Sequence, residues 1–210
     1  MKYSEDLKVL LFDFETFNLN LVKDNFAWQL SYLVCQGNKI IEKHDKFLFW
    51  ENADKRISED AARITRFNYD SYKSKAEDPR KVLEDFDKLL YNSEYYILFH
   101  NGLGFDSYIH NIMKKELGYE TDYSYVDRSI DTKSLSMMYR LGLKSVDSEK
   151  LYEEMLKFNN YVQKGIKTSL GVMCKEFDIF YDQTQSHSGD YDCEVNFQLW
   201  NKLKFCFDWK

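Results

Sequence analysis

The chain has 210 residues and a formal net charge of −6 at pH 7, with 44% apolar and 17% aromatic residues. This composition favours a folded domain over a disordered segment. A single proline and eight glycines leave little material for a flexible linker, so we expect one domain. The negative charge argues against a protein that coats nucleic acid by bulk electrostatic attraction, although not against an enzyme that holds a short piece of it in a local channel.

The compartment and the cysteine chemistry can also be predicted from composition. No apolar run of about 18 residues is present, and Met1–Asp6 lacks the apolar core of a signal peptide. We therefore expect a soluble, cytoplasmic protein without a membrane partner. The cysteines show no CxxC spacing, which favours buried reduced thiols over a zinc site or a disulfide framework; they are Cys35, Cys174, Cys193 and Cys206.

The first chemical signal lies at the end of an apolar run. Leu7–Phe14 is typical of a strand buried on both faces. Asp13 and Glu15 stand two residues apart at its C-terminal end, so their side chains point to the same face. Two like charges at the end of a buried strand repel each other and lose hydration, and a divalent cation between them is the simplest compensation.

Turn and cap residues define the next elements. A turn is predicted at Phe17–Asn20, followed by a β-hairpin with turn chemistry at its centre. Two helices should come next, the first capped by serine and the second opened by proline. The hairpin strands and the two helices are predicted over Ala27–Cys35, Lys39–Trp50, Ser58–Phe67 and Pro79 to about Tyr91.

A second acidic residue follows the next buried strand, Tyr95–Phe99. A glycine-containing turn leads into a helix with Ile109 and Met113 on one face. Asp106 precedes Ile109 by three residues, so its carboxylate shares that inward face at the helix start. The alternative is that Asp106 only complements the helix dipole.

The last helix repeats this arrangement. It is predicted from near Ser188 to about Phe205, with Asp192 three residues before Val195 on its apolar stripe. His187 lies just outside the helix and can point into the same pocket. Between the two acidic helices we predict an edge strand over Tyr125–Asp131, a short helix through Met137 and Leu141, a helix or helical insertion over Ser148–Val162, a helix over Thr168–Phe177 and irregular chain over Asp178–Ser186.

Four inward carboxylates, Asp13, Glu15, Asp106 and Asp192, are untenable together without cations. Two Mg²⁺ or Mn²⁺ ions about 4 Å apart would compensate them, and such a pair is suited to phosphodiester hydrolysis.

Three motifs, supported by Ile130-Asp131-Thr132, resemble those of one family. Phe12–Thr16 resembles Asp-x-Glu-Thr, His100–Asp106 resembles Asn-x-x-x-Phe-Asp, and His187–Asp192 resembles His-x-Ala-x-x-Asp. Together they resemble the DnaQ-like, DEDDh-type 3′→5′ exonuclease superfamily. The resemblance implies an RNase H-like α/β fold, with a mixed five-stranded sheet of three antiparallel strands plus parallel strands, flanked by helices.

The resemblance also implies a mechanism. Asp13 would bridge two metal ions, while Glu15 and Asp106 complete the metal shell and Glu15 lies near the terminal 3′-OH. Asp192 would hold the metal that carries the attacking water. His187 would act as the general base, for which the near-neutral pKa of an imidazole is suited.

Substrate contacts are implied for Thr16, Phe17 and Asn101. Phe17, like Leu19, could instead be a packed aromatic or apolar side chain, and Asn101 could orient Asp106 or simply serve the turn. In this sequence Phe17-Asn18 replaces the usual small turn of the first motif. Gly189 stands where alanine is usual, which we interpret as a mild change.

A segment around residues 144–167 is interpreted as a helical insertion. Its interleaved charges favour a solvated face over a nucleic-acid path; the lysines concerned are Lys150, Lys157, Lys164 and Lys167. His100 and His110 are expected to be structural.

These features favour a metal-dependent exonuclease that acts on a free 3′ end of DNA, single-stranded or frayed, and releases nucleoside 5′-monophosphates. It could serve proofreading, replication or repair with a polymerase or another replication protein as partner. Two alternatives stay open, namely a 3′→5′ exoribonuclease that trims short RNA and a catalytically silent nucleic-acid-binding module.

Overall fold

Residues 6–210 are described, in a computed structural model. Their main sheet has five strands in the order β3-β2-β1-β4-β5. β1 pairs antiparallel with β2, which pairs antiparallel with β3, whereas β4 and β5 run parallel to β1. The α/β class with a mixed five-stranded sheet is therefore confirmed. The strands are β1 Lys8–Thr16, β2 Ala27–Gln36, β3 Lys39–Phe47, β4 Tyr96–Phe99 and β5 Ser129–Asp131.

Helices flank this sheet and fill the connections between its strands. They are α1 Ala53–Arg56, α2 Glu59–Thr65, α3 Tyr69–Lys75, α4 Pro79–Leu90, α5 Asp106–Glu116, α6 Thr132–Arg140, α7 Leu151–Asn160, α8 Leu170–Glu176 and α9 Gly189–Leu203. Two short parallel strands, β6 Ser145–Val146 and β7 Asp208–Trp209, form a second sheet. Within the described residues, no helix has the length and apolarity that crossing a bilayer requires.

The two faces of β1 are covered differently. Phe12 packs edge-on against Phe86 of α4 and Phe99 of β4, so its face of the sheet is an aromatic core. The opposite face, which carries Asp13, meets the start of α9. The alternation of side chains along one strand thus separates a packing face from a polar face.

The helix starts follow the predicted caps. Ser58 Oγ accepts a hydrogen bond from Ala61 N at 3.2 Å at the start of α2, and Asp78 caps α4, whose first residue is Pro79. Both signals satisfy backbone N–H groups that the first helical turn leaves without partners. The positions of these two helices are therefore confirmed.

Two strand predictions were too long. Only Ser129–Asp131 of Tyr125–Asp131 is a strand, because a 3-10 turn occupies Ser124–Arg128. The hairpin's second strand ends at Phe47 rather than Trp50. The helices α1 and α3 were not predicted, and they are short, with 4 and 7 residues.

The segment 144–167 is packed into the fold. Its helix α7 lies against α6 and β5, and Met155 O accepts a hydrogen bond from Ser134 Oγ at 2.7 Å. The lysines predicted to lie on a solvated face are exposed; they are Lys150, Lys157, Lys164 and Lys167.

Candidate active site

The site begins where β1 extends beyond its neighbour. β4 pairs with β1 only at Val9, Leu10 and Leu11, so the next residues of β1 have no strand on that side. Phe14 N instead donates a hydrogen bond to Asp106 Oδ1 at 3.0 Å. The gap in the sheet therefore receives the start of α5 and brings Asp106 to the end of β1.

A tight turn fixes the start of α5. Asn101 has a left-handed backbone, with φ at +67°, and Asn101 N donates to Asp131 Oδ1 at 3.0 Å. A Cβ atom on Gly102 would lie 2.1 Å from the Phe99 ring, so only glycine fits there. The two small or turn-forming residues of the second motif thus let the chain reverse directly after β4.

Glycine also brings α9 close to the sheet. A Cβ atom on Gly189 would lie 2.7 Å from Ser31 Oγ and 3.8 Å from Asp13 Oδ2. An alanine at this position would require either the Ser31 side chain or the start of α9 to move. The glycine was interpreted as a mild change, but in this structure it permits the close approach of α9 to Asp13.

His187 and Asp192 form the other side of the site. His187 has a left-handed backbone, with φ at +61°, and its N donates to Asp192 Oδ2 at 2.9 Å. The His187 side chain is exposed. Ligand atoms of Glu15, His187 and Asp192 all lie within 4.8 Å of one another. The first and third motifs are therefore brought together at one point.

The carboxylates oppose one another's ionisation. Burial, and then the charges of Asp106, Glu15 and Asp192, raise the pKa of Asp13 well above its usual value. Burial and the charges of Asp192 and Asp106 do the same to the pKa of Glu15. Burial raises the pKa of Asp106 to about 7, and it also raises that of Asp192. A cluster with these pKa values is destabilised when every member is charged.

The donor set fits a divalent cation. Asp192 Oδ1 is buried and has no hydrogen-bond partner among residues 6–210. In the same range, no hydrogen bond or ion pair reaches the carboxylates of Asp13 and Glu15. Carboxylate oxygens are the ligands preferred by Mg²⁺ and are also suited to Mn²⁺. Asp13, Glu15, Asp106 and Asp192 could therefore hold such ions.

These groups open into a cleft of about 950 Å³. Asp13, Glu15, His187 and Asp192 line it, whereas Asp106 is only 4% exposed and lies behind them. The cleft is also bordered by side chains from the turn after β4, from α6 and α8, and from the loop before α9; they include His100, Asn101, Lys133, Lys175 and Tyr181.

Two of the predicted substrate contacts do not reach this cleft. Phe17 is 1% exposed, and its ring packs edge-on against Phe67 and Tyr72, which contradicts a base-stacking role. Thr16 is buried, and its hydroxyl donates to Asn18 O at 2.6 Å, so it fastens the turn after β1. Asn101 does line the cleft.

His100 and His110, which were expected to be structural, are held by hydrogen bonds. His110 is fully buried, and its Nε2 lies 2.7 Å from Asp87 Oδ1. His100 lines the cleft, but its Nδ1 lies 2.9 Å from Thr132 Oγ1. Burial and the charge of Lys133 lower the pKa of His100 to about 4, so its ring is neutral at physiological pH.

Three polar residues at the site were not identified from the sequence as site residues. Asp131 was noted only as part of a motif match, and Lys133 and Asn159 were not noted at all. All three surround Asn101, but Asn159 lies 58 residues from it along the chain. No local pattern joins residues so far apart, although the Asp131 match was a usable signal.

No family model matches the chain, and no curated protein matches it. Solved structures do match. An exonuclease I structure has a TM-score of 0.71 at 15% identity over 95% of this chain and 41% of its own. Escherichia coli exonuclease I with a dT13 oligonucleotide gives a TM-score of 0.70 at 14% identity, covering 94% and 41% of the two chains.

A zinc-bound form of the E. coli exonuclease I complex with single-stranded DNA gives a TM-score of 0.71 at 15% identity, over 95% and 41% of the chains. A 3′-exonuclease that recognises the 3′ end of the histone mRNA stem-loop gives 0.68 at 13% identity, over 97% of this chain and 64% of that one. The chain thus spans about two fifths of exonuclease I. The chain shares the fold of exonuclease I and of this 3′-exonuclease, which agrees with the fold that the resemblance of its motifs implies.

Proposed function

We propose that this chain is a two-metal-ion 3′→5′ exonuclease that hydrolyses DNA from a free 3′ end. The observation that carries the proposal is the uncompensated carboxylate cluster at the end of β1. Within residues 6–210, no hydrogen bond reaches the carboxylates of Asp13 and Glu15 or Oδ1 of Asp192. Ligand atoms of His187 lie within 4.8 Å of those of Glu15 and Asp192. Two divalent ions would supply the missing positive charge, and they would also bind the phosphodiester of the substrate.

Asp13, Glu15, Asp106 and Asp192 would hold two Mg²⁺ or Mn²⁺ ions. When bound, these ions would supply Lewis-acid activation of a water molecule and stabilisation of the departing 3′-oxygen. The hydrogen bond from Phe14 N keeps Asp106 at the end of β1, and that from His187 N fixes Asp192. The backbone thereby sets the ligand positions before any substrate arrives.

His187 would accept the proton of the attacking water. Its ring is exposed and lies beside Asp192, so it can reach a water on the cleft side of that carboxylate. The water oxygen forms a bond to the terminal phosphorus while the bond from phosphorus to the 3′-oxygen breaks. The products are a nucleoside 5′-monophosphate and a strand shortened by one nucleotide with a new 3′-OH.

The comparisons support both DNA and RNA as polymers to test. E. coli exonuclease I was solved with single-stranded oligonucleotides, which favours DNA. The 3′-exonuclease of the histone mRNA stem-loop supports exoribonuclease activity as the alternative. Its TM-score of 0.68 is close to those of the DNA complexes.

The deciding experiment is a gel assay with matched 5′-labelled single-stranded DNA and RNA. Wild type, Asp13→Asn and the control Asp85→Asn would be compared with Mg²⁺ and with EDTA. Asp85 is suited as the control because it lies on the outer side of α4, where it pairs with Lys88.

We expect a ladder that shortens from the 3′ end only with metal, that is kept in Asp85→Asn and lost in Asp13→Asn. A faster reaction on RNA would establish the exoribonuclease alternative. Wild-type protein that is folded and binds DNA but gives no ladder with Mg²⁺ or Mn²⁺ would instead indicate a silent binding module.

A further inference from the structure

The side chain of Asn101 is held in one orientation. Its Oδ1 accepts a hydrogen bond from Lys133 Nζ at 2.8 Å, and Asn159 Nδ2 lies 3.5 Å from the same atom. A lysine ammonium can only donate, so the amide atom that faces it must be the oxygen. The nitrogen end of the amide, Asn101 Nδ2, has no hydrogen-bond partner within residues 6–210.

The backbone below this side chain is fixed as well. Asp131 is fully buried, and Asn101 N donates to its Oδ1 at 3.0 Å. Asn159 Nδ2 donates to Asp131 Oδ2 at 2.9 Å, and Asn159 is 5% exposed. The last turn of α7 therefore contacts both the side chain of Asn101 and the carboxylate that holds its backbone.

Two donors border the cleft at this point. Asn101 and Lys133 both line it, and Lys133 is partly exposed. Only one of the three ammonium N–H groups is needed for Asn101, so the others can reach a ligand. The cleft is also lined by Asp13, Glu15 and Asp192, whose carboxylates repel a polyanion. A cation at this edge of the cleft would attract one.

We propose that Lys133 and Asn101 form a phosphate-binding pair for the strand in the cleft, and that Asn159 of α7 positions this pair. The inference rests on the proposed function and deepens it by assigning residues to the substrate backbone. The ammonium and the amide N–H would donate to oxygens of one phosphate group. The segment around residues 144–167 then has a role, because its helix supplies the positioning residue.

Binding without hydrolysis tests the pair. Anisotropy of a 5′-labelled oligo(dT) would be measured with Ca²⁺ in place of Mg²⁺, over a series of salt concentrations. Variants would be Lys133→Met, Lys133→Arg, Asn101→Ala, Asn159→Ala and the double variant Asn101→Ala with Asn159→Ala. Lys88→Met on α4 is the matched control, because Lys88 is exposed and outside the cleft.

Lys133→Met should bind roughly tenfold more weakly, since a charge-assisted hydrogen bond is lost. Its plot of log affinity against log salt should be shallower by about 0.7, the value for one phosphate contact on a single strand. Lys133→Arg should keep the wild-type slope. Asn159→Ala should weaken binding without changing the slope, and the double variant should be no weaker than Asn101→Ala, because Asn159 acts through Asn101.

Affinity and slope unchanged in Lys133→Met would overturn the phosphate pair, even if the wild type degrades DNA. Additive losses in the double variant would overturn the positioning role of Asn159. Wild type that binds with the expected dependence on Lys133 but does not hydrolyse would refute the proposed function alone. Wild type that binds no oligonucleotide would refute both.

Discussion

Two groups of acidic residues in this protein differ in how far the chain itself compensates their charges. Asp131 is fully buried, and its carboxylate accepts five hydrogen bonds; the donors are Asn101 N, Leu103 N, Lys133 N, Ser134 N and Asn159 Nδ2. Four of these are backbone N–H groups, and they offset part of the rise that burial causes in the pKa of Asp131. The chain itself thus supplies what this charge needs.

The acids at the end of β1 have little such support. Among residues 6–210, Asp106 accepts one hydrogen bond from another residue, Phe14 N, and Asp192 accepts one from His187 N at Oδ2 but none at Oδ1. The charges of this cluster raise the pKa values of Asp13 and Glu15 further. The comparison teaches that burial alone does not identify a functional acid. The missing hydrogen-bond partners distinguish the two groups, and they support the proposal that bound cations complete the site.

Removing charge from the two groups should therefore have different consequences. Asp13→Asn should lower the hydrolysis rate by at least about 10³-fold, because several kcal/mol of metal-dependent stabilisation of the transition state are lost. Its melting temperature in EDTA should stay the same or rise, because a repelled charge is removed. Gel kinetics and calorimetry measure both, with Asp85→Asn as control. A large fall in melting temperature would contradict the comparison.

Asp131→Asn should act mainly on stability. Two donors, Leu103 N and Asn159 Nδ2, share Asp131 Oδ2, and an amide nitrogen at that position cannot accept from them. We expect the free energy of unfolding in urea to fall by about 3 kcal/mol. The exposed Asp60→Asn, which breaks only a surface pair with Arg63, should cost less than about 0.5 kcal/mol. Equal losses in the free energy of unfolding for Asp131→Asn and Asp60→Asn would contradict the structural role assigned to Asp131.

His187→Ala separates proton transfer from metal binding. The rate should fall by about 10²-fold, the lower range for loss of a general base, while the four carboxylates still bind metal. Added imidazole should restore part of the rate, and a matched experiment with Asp13→Asn should show no rescue. Full activity in His187→Ala at neutral pH would exclude this residue as the base.

The pH dependence of stability sharpens the comparison further. The pKa of Asp106 is about 7 in the folded chain, above the usual 3.8, so the folded state holds a proton that the unfolded state has already released. Without metal, this group's contribution to stability should be present below about pH 4 and lost as the pH rises through about 7. In EDTA, the melting temperature of the wild type minus that of Asp106→Asn should fall as the pH rises from about 4 to about 7. A rise would contradict the shift.

Much of the site was predictable because its residues are marked by local pattern. Asp13 and Glu15 follow an apolar run, and Asp106 and Asp192 each stand three residues before an apolar stripe. Such relations depend only on the geometry of one strand or one helix. The mixed sheet was implied by the resemblance of the motifs, whereas the hairpin and the helix starts followed from turn and cap residues, which are local properties.

The remainder depends on contacts between distant segments. Asn159 reaches Asn101 only because α7 packs against α6 and β5, and a single sequence carries no signal for that packing. Phe17 was assigned to substrate because it follows the first motif, but Phe67 and Tyr72 enclose its ring. Phe67 and Tyr72 belong to the segment around α2 and α3. Because α3 was not predicted, the burial of Phe17 could not be predicted either.

The central claim is that the carboxylates at the end of β1 bind divalent ions, and titration with Mn²⁺ followed by electron paramagnetic resonance tests it most directly. Bound Mn²⁺ loses its sharp solution signal, so the number of ions per chain can be counted. We predict two ions on the wild type and on Asp85→Asn, with binding weakened or lost in Asp13→Asn. A wild-type chain that leaves the Mn²⁺ signal unchanged, or an Asp13→Asn variant that binds as the wild type does, would contradict the claim.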